Sequence, residues 1–139
     1  MNDACSLSER ILGSIADAVI YADRSGKIGR WNQACVTLFG FSAQEALGQG
    51  LDLIIPEHLR AAHWRGFEAA ISSGSTRLHG RATLTRAVRK DGGKLYVEMS
   101  FALVGDGQGA VQGSVAVARD VTLRVEQERL ARRSASAGA

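Results

Sequence analysis

His63 is the residue whose type and position suggest chemistry most directly. It stands between Leu59 and Phe67 in a stripe of apolar residues at helical spacing, so its imidazole should face the protein core. Imidazole is a common ligand of iron, and proteins hold heme with a histidine presented from a helix into an apolar pocket. A buried imidazole without a hydrogen-bond partner costs about 1–3 kcal/mol. The residues alone therefore leave three alternatives for His63: a heme ligand, a hydrogen-bonded core histidine, or a contact to another small ligand.

The segment from Glu57 to Ser73 predicts the helix that would carry His63. Pro56 precedes it, in a position that the first turn of a helix tolerates, and Gly74 is expected to end it. His58 falls on the polar side of this helix, where we expect it to be solvated. Small and apolar residues recur at intervals of three and four and share one buried face: Leu59, Ala62, His63, Gly66, Phe67, Ala70 and Ile71.

The elements before this helix are shorter. Ser6 and Glu9 have the spacing of a capping box ahead of an apolar stripe, which predicts an N-terminal helix that must dock onto another surface. The stripe consists of Leu7, Ile11, Leu12 and Ile15. Alternating residues predict two short strands, at 18–22 and 27–31, joined by a hairpin turn. Two or three short helical pieces should follow between Asn32, which can cap the first of them, and Gly50.

Three longer strands are predicted in the second half of the chain. Two of them alternate over residues 95–103 and 111–117, with turns at Asp91–Gly93 and Asp106–Gly107. Residues 122–133 predict a helix that leaves the domain, followed by a frayed tail of serine, alanine and glycine. The order of elements predicts an α+β domain in which a five-stranded antiparallel sheet carries short helices on one face. Such a curved sheet would enclose a pocket, the default site for a ligand.

The composition excludes several classes of protein. The 139 residues suit one compact domain, and 45% hydrophobic with 22% charged residues excludes a disordered chain. The sequence lacks an apolar run long enough for a membrane span and a signal-peptide pattern, so we expect a cytoplasmic protein with Cys5 and Cys35 as thiols. A net charge of +3 is too small to predict nucleic-acid binding. The sequence contains no recognisable catalytic triad, phosphate-binding loop or carboxylate pair, so enzyme activity is not expected.

A series of short motifs resembles the PAS family of sensory and signalling modules. The motifs are Asp17–Asp23, Gly26–Ile28, Trp31–Ala34 followed by Leu38–Phe41, Glu45–Gly48, Leu53–Pro56, Arg89–Gly92 and Arg119–Thr122. The resemblance implies a PAS fold, in agreement with the order of elements above. We therefore predict an N-terminal helical cap at residues 1–10, a PAS domain at 11–122, and a C-terminal signalling helix with a disordered tail at 123–139. Asp120 and Thr122 should couple the last strand to that helix.

The segment Ile55–Arg60, followed by His63, is similar to the corresponding stretch of heme-binding PAS domains in oxygen-sensing histidine kinases and cyclic-dinucleotide phosphodiesterases. The resemblance implies that His63 is the proximal ligand of heme b and the metal ligand of this chain. Thr83 stands where oxygen-sensing members carry a distal arginine, and Arg81 stands where some carry a distal methionine. The contacts expected for the cofactor are His63, Leu59, Phe67, Thr83, Arg81, Met99, Phe101 and Val115.

The strand that carries Arg81 and Thr83 could face either way. Leu78, Ala82 and Leu84 form an apolar set, and His79, Arg81 and Thr83 form a polar set of opposite parity. If the apolar set faces the helices, the polar set points away from any heme. A bulge at Gly80 would reverse this outcome, and His79 or Arg81 could then serve from a shifted register.

Two functions remain as alternatives at this point. The first is a sensor that binds a small molecule or gas, most specifically through heme b, and responds to redox state or a diatomic gas. The second is a cofactor-free module for protein interaction or for homodimerisation through the N-terminal helix. A flavin photoadduct is not expected, because Cys35 follows Asn32 too closely to match the reactive cysteine of flavin-binding relatives. Neither nucleic-acid nor membrane binding is expected, and the downstream partner must lie in another protein or elsewhere in a longer chain.

Overall fold

The computed structural model describes residues 6–76 and 80–137. The helices within these ranges are α1 (Leu7–Ser14), α2 (Gln33–Phe39), α3 (Ala43–Ala46), α4 (Arg60–Ser73) and α5 (Thr122–Ala137). The strands are β1 (Ala18–Asp23), β2 (Ile28–Trp31), β3 (Thr83–Val88), β4 (Lys94–Gly105) and β5 (Val111–Asp120). Among the helices so described, none is long and apolar enough to cross a membrane.

The strands form one antiparallel sheet in the order β2-β1-β5-β4-β3. Alternate residues of β1, β4 and β5, among them Ile20, Val97 and Ala118, enter a core that also contains Phe39 of α2 and Phe67 of α4. The predicted α+β fold with helices packed against the sheet is therefore confirmed. Strands β2 and β3 lie at the two edges, and β3 contacts the 3-10 turn at Leu51–Ile54 that precedes α4 in the chain.

The helix that carries His63 begins later than the sequence predicts. A 3-10 turn occupies Glu57–Leu59, and α4 starts only at Arg60. The guanidinium of Arg60 donates to the carbonyl of Ile55 at 3.0 Å. This hydrogen bond joins the start of α4 to the segment before the 3-10 turn. The helix ends as predicted at Gly74, whose φ of +76° is a left-handed conformation that glycine adopts without strain.

Asn32 joins three parts of the fold through its buried side chain. Its Oδ1 accepts hydrogen bonds from the backbone N–H groups of Val19 (3.0 Å) and Cys35 (3.1 Å). Its Nδ2 donates to the carbonyls of Leu12 (3.0 Å) and Asp17 (3.1 Å). The predicted cap of α2 is confirmed, and the same amide also ties β1 and the end of α1 to that helix.

Helix α1 forms as predicted but does not bury its apolar stripe. The Ser6 hydroxyl accepts from the Glu9 backbone N–H at 3.2 Å, which confirms the cap. No residue of α1 is buried, and Leu7 and Ile11 are 64% and 53% exposed. The stripe is therefore not docked within residues 6–76 and 80–137, and the surface onto which it is expected to dock stays a prediction. Polar contacts near the ends of α1 hold it instead, so its apolar stripe remains a free surface.

Helix α5 continues the last strand directly. The Asp120 carboxylate accepts from the Thr122 backbone N–H at 2.9 Å, and the Thr122 hydroxyl accepts from the Tyr96 backbone N–H at 2.9 Å. The predicted coupling of sheet and exit helix is thus confirmed. The helix runs to Ala137, four residues beyond the predicted end at Arg133, because alanine, which recurs in this segment, has the highest helix propensity.

Candidate functional site

A cavity of about 570 Å³ lies between α4, the turns before it, and strands β3 and β4. This volume falls within the range of roughly 300–1,000 Å³ that is usual for small-molecule sites. Its walls are mainly apolar. They include all but one of the predicted cofactor contacts: His63, Leu59, Phe67, Thr83, Arg81, Met99 and Phe101. The helix, the turns before it and the two strands thus form one cavity beside the core.

The register of the edge strand decides which set of β3 residues faces this cavity. Thr83 pairs with Met99, and Thr85 pairs with the fully buried Val97. Paired residues of antiparallel strands point to the same face, so the threonines line the cavity. Leu84 lies on the other face and is 52% exposed. Leu84, the member of the apolar set that lies in β3, therefore points away from the core, because the apolar alternation of β4 sets the face for its neighbour.

Two predicted residues of this strand region have different outcomes. Arg81, two residues before β3, lines the cavity. His79, the alternative distal residue, lies outside the described residues, as does Leu78.

Val115 does not line this cavity, which corrects its prediction as a cofactor contact. It pairs with Ala102, whereas the neighbouring Ala116 pairs with the cavity residue Phe101. Residues that alternate along a strand point to opposite faces of the sheet, so Val115 lies on the face away from α4. On its core face, β5 carries alanines opposite the large side chains of β4. A prediction that places the more hydrophobic valines of β5 in the core therefore chooses the wrong face.

His63 lies at the wall of the cavity with an unpartnered ring nitrogen. Its Nδ1 is buried and has no hydrogen-bond partner among the residues that the structure describes. Burial lowers the pKa of the imidazole, and the nearby Asp52 carboxylate acts in the opposite direction to a smaller extent. The ring is consequently neutral at pH 7, which is the form of histidine that binds metals. The described residues do not supply the hydrogen bond that a structural core histidine requires.

His63 also belongs to a cluster of aromatic rings. The ring of Trp64 meets it edge-on at 4.8 Å between centroids, and Phe67 lies 6.1 Å away on the next turn of α4. Phe67 in turn contacts Phe101 of β4 at 6.3 Å. The cluster connects the helix to the strand across the floor of the cavity. By contrast, His58 is exposed, as predicted.

Trp64 and Asp52 were missed as site residues by sequence reasoning. The Trp64 indole donates to the Asp52 carboxylate at 2.7 Å, which joins α4 to the 3-10 turn at Leu51–Ile54. Adjacent helical residues do not share a face, so the position of Trp64 beside His63 does not predict contact between the rings. The indole also packs directly against the backbone of Gly26, a contact between residues distant in sequence that no local pattern signals.

Gly26→Ala is expected to lower the free energy of unfolding by about 2–3 kcal/mol. Gly26 has a φ of +84°, and a Cβ there would lie 2.3 Å from Cη2 of Trp64. Gly48→Ala is the matched control, since Gly48 has a φ of +86° with no atom within 4 Å of its Cβ position. Urea unfolding should show the larger loss for Gly26→Ala, by the cost of displacing the indole. Equal losses would contradict a tight contact between Trp64 and the turn.

The residues at the cavity fit a heme better than a bare metal ion. Across residues 6–76 and 80–137, no three His, Cys, Asp or Glu side chains are grouped closely enough to hold an ion. A heme needs only one or two protein ligands, because its macrocycle supplies the others. His63 can provide one such ligand from the wall, and the apolar side chains of Leu59, Phe67 and Phe101 can contact the macrocycle.

Cys35 is expected to resist alkylation in the folded protein. Its side chain is fully buried in α2, its thiol donates to the Val19 carbonyl at 3.3 Å, and burial raises its pKa to about 12. Thiolate is the reactive form, and almost none is present at pH 8. Mass spectrometry of the Cys35 peptide after iodoacetamide treatment should show modification only in urea. Labelling of native protein would contradict this burial.

Cys35 does not line the cavity, and this position argues against a flavin adduct at its thiol.

Comparisons with known proteins agree with this architecture. The family model for the PAS fold matches residues 7–121. The PAS domain of a protein from Colwellia psychrerythraea superposes with a TM-score of 0.72 at 21% identity, covering 83% of this chain and 94% of that one. This structural likeness supports the fold.

Two curated relatives are named as sensors. The oxygen sensor protein DosP of Escherichia coli is 23% identical over 126 residues, covering 88% of this chain and 14% of DosP. The sensor protein FixL of Bradyrhizobium diazoefficiens is 30% identical over 91 residues, covering 66% of this chain and 18% of FixL. This chain therefore spans only a small part of the length of either relative. The match of the family model over most of the sequence, on a five-stranded sheet that encloses a cavity beside α4, shows that the chain belongs to the PAS family.

Proposed function

We propose that this PAS domain binds heme b through His63 and senses redox state or a diatomic gas. The observation that carries the proposal is the neutral, partly buried imidazole at the cavity wall, whose Nδ1 has no described partner. When bound, the heme would supply an iron atom whose oxidation state or small ligand can change. The chain itself would bind, orient and enclose the cofactor, without a reaction of its own.

Other cavity residues support this proposal through their chemistry. Arg81 brings a positive charge to the cavity, which suits the carboxylate groups of heme b. The hydroxyl groups of Thr83 and Thr85 provide polar atoms on the strand side of an otherwise apolar space. The similarity to a protein named as an oxygen sensor, DosP, supports the same class of ligand.

A route from the cavity to the exit helix is built into β4. Met99 and Phe101 line the cavity, and Tyr96 of the same strand is hydrogen-bonded through its backbone to Val121 and Thr122. The guanidinium of Arg129 in α5 also lies over the Tyr96 ring, 4.9 Å from its centroid. A shift of β4 on ligand binding would therefore alter the attachment of α5, through which the downstream partner would receive the signal.

Titration of the purified protein with hemin tests this function. We expect a strong Soret band that saturates at one hemin per chain, together with protein-bound heme after expression in heme-rich cells. Protein that stays colourless and shows no saturable hemin binding would contradict the proposal.

Dimerisation is a second candidate function, favoured by the exposed apolar stripe of α1. Under this alternative, the stripe would pack against a second copy of the chain and no cofactor would be needed. Sedimentation of the chain and of Ile11→Glu, which places a charge in the stripe, tests it. A colourless dimer that becomes a monomer on substitution would favour the second candidate, whereas a monomeric wild type would contradict it.

A further inference from the structure

Among the described residues, the contacts that orient the imidazole of His63 are not hydrogen bonds. A metal-binding histidine usually donates its second ring N–H to an acceptor that fixes the ring. No described residue accepts from or donates to Nδ1 of His63. Two aromatic rings pack beside it: Trp64 lies edge-on at 4.8 Å with an interplanar angle of 74°, and Phe67 lies at 6.1 Å.

Trp64 is itself held from three directions. Its indole N–H donates to Asp52 at 2.7 Å. The far edge of the ring packs on Gly26 so closely that a Cβ there would lie 2.3 Å away. Phe67 meets the indole edge-on at 5.4 Å, with an interplanar angle of 81°. An indole fixed in this way is a rigid surface, and the ring that packs on it loses rotational freedom.

We propose that Trp64 is the positioning residue for His63, and that packing against the clamped indole takes the place of a hydrogen-bond acceptor. The inference rests on the proposed function only where it concerns iron, since the contact between the rings exists without a cofactor. A movement of His63 would displace the indole and would be felt at Asp52 and at the β1–β2 turn that contains Gly26.

The first test uses the chain without hemin. Nuclear Overhauser effects between the His63, Trp64 and Phe67 rings should report one imidazole orientation in the wild type. Trp64→Leu should weaken the His63–Phe67 effects or split the imidazole signals. Asp52→Ala, which keeps the indole but removes its acceptor, should do so to a smaller extent, whereas Asp52→Asn keeps an acceptor oxygen and should resemble the wild type. Trp31→Phe is the control, because it also removes an indole donor, the one bonded to the Phe41 carbonyl, but away from His63.

The second test separates positioning from cavity shape. Trp64→Leu should weaken hemin binding about tenfold when His63 is present, as expected for loss of a group that orients a ligand. In His63→Gly with added imidazole the ligand is no longer tethered, so the same substitution should change hemin binding less than twofold. Equal weakening in both backgrounds would mean that Trp64 only shapes the cavity and would overturn the inference.

The two tests keep this inference distinct from the proposed function. If hemin does not bind, the proposed function fails, while the ring orientation in the free chain still decides whether Trp64 positions His63. Unchanged imidazole signals in Trp64→Leu would overturn the inference whether or not hemin binds. If Trp64→Leu does not fold, Trp64→Phe and Asp52→Ala take its place, and an imidazole signal unchanged in both would likewise overturn it.

Discussion

His63→Ala is expected to weaken hemin binding by more than about 100-fold, which exceeds the usual effect of an outer-shell group. The substitution removes the imidazole that would coordinate iron, and Met99 is the other described cavity residue with a side chain able to do so. The fold should survive, because the lost ring contacts with Trp64 and Phe67 are offset by removal of a buried, unpartnered nitrogen. Hemin titration and urea unfolding measure the two effects separately.

Two variants provide matched controls for His63→Ala. His58→Ala removes a solvent-exposed imidazole five residues earlier in the chain and should leave the Soret band unchanged. Met99→Leu keeps an apolar side chain on β4 but removes the thioether, and it too should retain the band. Added imidazole should restore the spectrum of His63→Gly. Full hemin binding by His63→Ala would show that another group holds the iron.

Asn32→Ala is expected to cost about 3 kcal/mol of folding free energy, a large part of the roughly 5–15 kcal/mol of a typical domain. The substitution leaves the buried backbone N–H of Val19 without its side-chain acceptor and removes the side-chain cap of α2. The Cys35 N–H keeps only the Asn32 backbone carbonyl, at 3.0 Å, as an acceptor. The carbonyls of Leu12 and Asp17 also lose their donor, but both residues are partly exposed and can be hydrated. Urea unfolding provides the measurement.

Asn32→Asp distinguishes the two halves of this side chain. It keeps an oxygen for the two N–H groups but turns the other oxygen toward the carbonyls of Leu12 and Asp17, which repel it. We expect a loss close to that of alanine at pH 7 and a smaller loss in mild acid, where a protonated carboxyl can donate. Gln33→Ala, on the exposed neighbouring residue, should change stability by less than about 0.5 kcal/mol. A tolerated Asn32→Ala would contradict the role of this amide.

The difference between α1 and α4 shows that apolar periodicity predicts where a helix forms but not whether its apolar face is buried. Both helices carry a stripe at helical spacing and both form, because spacing and caps are local properties of the chain. In α4 the stripe packs on the sheet, through Phe67 and Ile71. In α1 it does not, since burial depends on whether a partner surface exists, and a sequence pattern contains no information about that surface.

Much of this protein follows from local rules that act along the chain. The strand alternation, the glycine and aspartate turns and the helix stops are sufficient to predict five antiparallel strands with helices on one face, and the apolar stripe of α4 predicts that His63 faces inward. The tertiary structure alone decided which face of β3 meets the cavity and which face of β5 meets the core. Thr83 faces inward and Val115 outward because each strand takes its register from the buried residues of β4. It alone also brought Trp64, Asp52 and Gly26 together, since contacts between residues distant in sequence depend on how the elements pack.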